Sequence, residues 1–127
     1  MIGYVGPIEQ LTEGNTNFRQ VLFTGTYCQL VVMSLLPNEE IGLEAHATVD
    51  QFFRIEEGVG KVVMNGEESA FKAGDAIIVP AGTNHNIINT SAEKPLKLYT
   101  LYSPPNHPDG TIHKTKAEAM ADETDHV

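Results

Sequence analysis

The sequence predicts an all-β sandwich or barrel in a single domain, and three observations predict it. Short runs rich in Val, Ile, Phe and Tyr succeed one another from Arg19 onward. Turn residues break them at intervals of about eight to twelve positions, the spacing of a many-stranded β domain. The length, 127 residues with 41% hydrophobic and 20% charged, suits one ordinary globular core and is too short for two.

Residues 1–18 read as an N-terminal arm, residues 19–102 as the barrel, and residues 103–127 as a crossover with a helix packed on it. Within the barrel, strands are expected at Arg19–Thr24, Tyr27–Leu36, Asp50–Glu56 and Gly60–Asn65. Four more follow at Glu68–Lys72, Asp75–Pro80, His85–Thr90 and Pro95–Tyr102. Asn65-Gly66 between two strands calls for a hairpin turn with positive φ at both residues. Lys72-Ala73-Gly74-Asp75 marks a second reversal. Leu30–Leu36 is apolar almost throughout rather than alternating, so both of its faces need cover. A homodimer supplies that cover most simply, with the chain's own N-terminal arm as the alternative. Beyond Tyr102, three prolines give way to a helix-forming stretch from Thr115 to Ala121. Thr115 is its expected cap, with Glu118 placed to complete a capping box.

Composition excludes several classes of function. The formal charge of −9, from 17 acidic against 8 basic residues, repels nucleic-acid phosphates and anionic membranes. No apolar run approaches the ~20 residues that span a bilayer. Met1–Gln10 lacks the basic start and apolar core of a targeting segment, so a cytoplasmic protein is expected. The single cysteine, Cys28, cannot form an internal disulfide and reads as a small core residue.

One constellation carries chemistry. Glu44 and His46 are two residues apart, which on extended backbone points both side chains to one face. Gln51 opens the next strand and His85 a later one, so the side chains of all four can converge inside a barrel. Two imidazole nitrogens and two oxygens suit one divalent ion such as Zn, Mn, Fe, Co or Ni. A carboxylate and an imidazole facing an apolar interior are costly without such an ion.

The two segments that hold these residues resemble the paired motifs of the cupins. The second motif, G-x5-P-x-G-x2-H-x3-N, is matched at Gly74, Pro80, Gly82, His85 and Asn89. The first, G-x5-H-x-H-x3-4-E-x6-G, is matched at His46 and Gly58. Asn38 stands at its opening glycine, Glu44 at its first histidine and Gln51 at its glutamate. The spacing survives while a carboxylate moves to the first position and an amide oxygen takes its former place. The resemblance, over about residues 21–102, implies a double-stranded β-helix, the jelly-roll barrel, with a short C-terminal helix. It further implies a metal held by Glu44, His46, Gln51 and His85.

The expected function is metal-dependent isomerisation or rearrangement of a small sugar-like or oxygen-rich molecule, by analogy with other small cupins. Glu44 is the candidate base, and Tyr102 (or Tyr99) a phenol placed to reach the substrate. An Fe- or Mn-dependent dioxygenase and a non-catalytic binding cupin are the alternatives. By alternation Phe53, Ile55, Ile87 and Asn89 point inward, while Asp50 and Lys61 point to solvent. His107, His113 and His126 read as surface histidines.

Overall fold

Buried residues alternate with more open ones at Gln51, Phe53 and Ile55, which fixes the inner face of one strand. Most of the remaining strands follow the same rule. The protein is described here by a computed structural model for residues 2–125. Helix α1 (Ile8–Gly14) precedes β1 (Arg19–Thr24) and β2 (Gln29–Leu35). Then come β3 (Asp50–Glu57), β4 (Val59–Met64), β5 (Glu67–Lys72), β6 (Ala76–Val79), β7 (His85–Asn89) and β8 (Leu96–Ser103). The chain closes with β9 (Ile112–His113) and α2 (Lys116–Ala121).

The strands form two antiparallel sheets, ordered β6-β3-β8-β2-β1-β9 and β5-β4-β7. Val31, Met33, Phe53, Ile55 and Leu98 of the larger sheet share one core with Val62, Phe71 and Ile87 of the smaller. Each fully buried side chain of this kind contributes about 1.5–3 kcal/mol. The architecture is the double-stranded β-helix, an all-β fold with a short C-terminal helix. Asn65 (φ 50°) and Gly66 (φ 83°) make the β4–β5 hairpin in the left-handed region, where Asn and Gly are tolerated best.

Three features depart from expectation. The arm forms a helix, α1, and it lies over the outer face of the larger sheet, where Val32, Ser34 and Lys97 are buried. Ser34 N–H donates to Asn17 O at 3.1 Å and the Lys97 ammonium donates to Asn15 O, tying the arm down. The second face of β2 is thus covered from within the chain, and the homodimer loses the observation that called for it. Cys28 is exposed rather than in the core. The β1–β2 turn, closed by Gly25 N–H to Cys28 O, takes Cys28 out of the strand before the buried alternation begins at Gln29. His107 and His113 are buried, with 5% and 4% of their surface exposed, for reasons that belong to the site below. His126 lies outside the described residues. No described helix is long and apolar enough to cross a membrane.

Candidate metal centre

The four candidate ligands arrive on three separate pieces of chain. Glu44 and His46 lie on the extended segment before β3, which is stitched to the start of β7. Glu44 N–H donates to His85 O at 2.9 Å, and His85 N–H returns to Glu44 O at 2.8 Å. The loop delivering His85 is pinned in turn, since Gly82 N–H donates to His46 O at 2.8 Å. Gln51 comes from β3, where it pairs with Tyr102 of β8, so both side chains stand on the inner face. Ligand atoms of Glu44, His46 and His85 all lie within 4.8 Å of one another, and Glu44 Oε2 is 3.5 Å from His46 Nε2.

Second partners aim the donors. The carbonyl of Thr83 can only accept, so His85 Nδ1, 3.0 Å away, carries the proton and Nε2 keeps its lone pair. Gln51 Nε2 donates to Thr100 Oγ1 at 3.1 Å, which leaves its carbonyl oxygen uncommitted. Among the described residues Glu44 Oε2, His46 Nε2 and Gln51 Oε1 are buried with no hydrogen-bond partner. Each orphaned group costs about 1–3 kcal/mol. A divalent cation between Glu44, His46 and His85 would satisfy the first two, so these residues fit the ion that the sequence pattern implies.

Electrostatics agree with that fit. Burial pushes the Glu44 carboxyl up to about 7, against a smaller opposing pull from Arg19. Burial lowers His46, and the neighbouring His85 and Arg19 lower it further. Without a cation, then, the contact between Glu44 and His46 is not an ion pair; both are driven toward neutrality. A dication reverses this for Glu44 and finds His46 already in the neutral, ligating form.

Tyr102, rather than Tyr99, faces the centre; its ring lies edge-on to His46 at 6.0 Å, whereas Tyr99 packs on Phe52. Its hydroxyl, held well above the ordinary phenol range chiefly by burial, is 3.0 Å from His107 Nε2. His107 Nδ1 is 2.7 Å from Asp125 Oδ2, and because a carboxylate only accepts, the imidazole hydrogen sits on Nδ1. Tyr102 therefore donates to Nε2. Gln29, on β2 and opposite Tyr102, sets this register: its oxygen accepts from the N–H groups of Asn106 and His107, and its Nε2 donates to His107 O. His113, paired with Arg19 across β1 and β9, spans from Arg19 Nη1 at 3.3 Å to Asp122 Oδ2 at 2.8 Å. Both histidines are buried because the crossover and α2 fold back over the barrel, and no short-range spacing encodes that return. Asp122 and Asp125 were unreadable for the same reason. Arg19 and Gln29 were legible in principle, since alternation from Val21 and Val31 turns each inward.

The fold is a double-stranded β-helix with a candidate metal centre, and comparison with known proteins supplies the family. Residues 31–102 match the model of the cupin domain. The chain belongs to the cupin family. It is 50% identical to the Bacillus subtilis protein YrkC over 94% of this chain and 67% of that one. A protein of Acanthamoeba polyphaga mimivirus is 43% identical over 86% of this chain and 70% of its own length. A crystal structure from Bacillus halodurans superposes with a TM-score of 0.91 at 46% identity, covering 94% of both chains. A Thermotoga maritima structure described as a predicted oxalate decarboxylase aligns at 27% identity and a TM-score of 0.57, over 61% of this chain and 66% of that one.

Proposed function

We propose that this cupin isomerises or rearranges a small, oxygen-rich molecule at one divalent metal ion held by Glu44, His46, Gln51 and His85. The observation that carries the reading is the set of buried donor atoms on Glu44, His46 and Gln51 without a hydrogen-bond partner, the first two clustered with His85, while second contacts orient Gln51 and His85. When bound, the ion would supply Lewis acidity toward substrate oxygens. The chain's own residues provide the proton chemistry. Tyr102 presents its oxygen beside Gln51 while its proton points at His107 Nε2. As the phenol oxygen accepts a substrate proton, its own passes to Nε2, and the Asp125 carboxylate at Nδ1 offsets part of the burial that disfavours the imidazolium formed. Glu44 serves as ligand in this scheme, which leaves the base role to Tyr102. The small-acid chemistry named for the Thermotoga maritima relative is in keeping with an oxygen-rich substrate.

Elemental analysis of the purified protein tests the reading, with His46→Ala and His85→Ala alongside. Near-stoichiometric Zn, Mn, Co or Ni in the native protein, lost in both variants while circular dichroism is unchanged, is the expected result. Iron with consumption of dioxygen would move the assignment to a dioxygenase. No metal after reconstitution with each of these ions would overturn it.

A further inference from the structure

Among the described residues, the positive charge beside this centre has no carboxylate in ion-pair contact with it. Arg19 is 4% exposed, faces inward from the start of β1, and lies with its carbon Cζ 5.3 Å above the Phe18 ring. Its Nη1 donates to His113 Nδ1, but its Nε–H is buried and, among the described residues, has no partner. Nor do the described residues place a carboxylate within ion-pair range of the guanidinium; the nearest link to one runs through His113 to Asp122. The same side chain lines a cavity of about 270 Å³ with Ile41, Gly42, Glu44, Lys116 and Met120. Glu44 belongs to both the cavity wall and the metal cluster, so the cavity adjoins the centre.

We infer that the substrate of this site is a small organic acid whose carboxylate is received by Arg19 while its other oxygens reach the metal. This rests on the metal reading proposed above and adds the chemical class of the ligand. A guanidinium presents parallel N–H groups to a carboxylate, and a desolvated one gains more from that pairing than an exposed one does. Arg19 is held in place by its contacts with His113 and Phe18, so little ordering remains to be done on binding. Two of the eight basic residues of a chain with net charge −9, Arg19 and Lys116, lie on this one wall. The volume equals that of about nine waters at liquid density, enough for a small acid and too little for a polymer segment.

The test is calorimetric titration of the metal-loaded protein with malate and with lactate. Both chelate through a hydroxyl and the adjacent carboxylate, and only malate has a further carboxylate for Arg19. Malate is expected to bind about tenfold or more tighter than lactate, a preference lost in Arg19→Gln and partly kept in Arg19→Lys. Metal content is measured in every sample. In metal-free protein lactate's carboxylate is free to reach Arg19, so both acids should bind more weakly, the preference should shrink and Arg19→Gln should weaken both; a protein that takes up no metal yet loses acid binding in Arg19→Gln overturns the metal reading alone. Equal affinity of the wild type for the two acids overturns the inference without reference to any variant. So does an Arg19→Gln protein that keeps both its metal and its preference.

Discussion

Glu44 shows most directly how the centre works at the scale of one residue. Its carboxyl sits near 7 in the metal-free protein because burial penalises the charge. A metal must displace that proton, so metal affinity should fall about tenfold for each pH unit below 7 from this group alone. Competition with a fluorescent chelator at pH 5, 6, 7 and 8 measures the slope. In Glu44→Gln the affinity should be weaker throughout and the slope shallower; an unchanged slope would remove Glu44 from the ligand set. Tyr102 makes the complementary case. Tyr102→Phe deletes the oxygen whose proton points at His107 and leaves Gln51, His46 and His85 untouched. Metal content should stay at the wild-type level while turnover of a competent substrate falls about a hundredfold or more. Equal losses in metal and turnover would make Tyr102 a structural support. The clustering of Glu44, His46 and His85 was readable because the i, i+2 spacing on extended chain and the turn before His85 are local features of the sequence. His107 and Asp125 were not, because their partner Tyr102 is reached only when the crossover folds back over the barrel.

At the scale of elements, two motif residues hold strands together rather than doing chemistry. Asn89, at the end of β7, is 1% exposed, and its Nδ2 donates to the carbonyls of Leu35, Leu36 and Lys94 at 3.3, 3.0 and 2.9 Å. Its Oδ1 accepts from Ser91 N–H, so one amide joins the exit of β2, the end of β7 and the entry to β8. Asn89→Ala should cost about 2–4 kcal/mol in urea unfolding, through the carbonyls it orphans. The metal content of the folded fraction should not change. Gly58 (φ 102°) sits where an added Cβ would come within 2.8 Å of Pro95 O. Strain and clash together make the position unfit for a side chain, and Gly58→Ala should cost about 1–3 kcal/mol. The strands themselves were legible because alternation and turn residues mark them directly. Helix α1 was not: its seven residues are too few for periodicity to register, and Thr12 is its buried residue. The predicted cap of α2 does form, with Glu118 N–H donating to Thr115 Oγ1 at 3.1 Å.

At the scale of the molecule, Glu44 and the returning C-terminal segment respond to acid in opposite directions. In the metal-free protein Glu44 is raised to about 7, above its unfolded value of 4.5. The stability it contributes is complete below 4.5 and lost as pH rises through 7, a swing of about 3 kcal/mol. His107, which ties the segment ending at Asp125 to Tyr102, is lowered to about 4 from 6.5, chiefly by burial and next by Arg19. Its contribution is present above 6.5 and lost as pH falls through 4. His46, lowered by burial and then by His85 and Arg19, acts in the same sense as His107. Across pH 7 to 4.5, therefore, Glu44 offsets part of the acid loss that the histidines impose. Urea midpoints of metal-free protein over this window should fall more steeply in Glu44→Gln than in the wild type, and less steeply in His107→Asn. With metal bound, Glu44 is ionised throughout and can no longer compensate, so the loaded wild type should share the steeper acid loss of Glu44→Gln. A Glu44→Gln profile parallel to that of the metal-free wild type would show that this carboxyl is not the group titrating in the barrel.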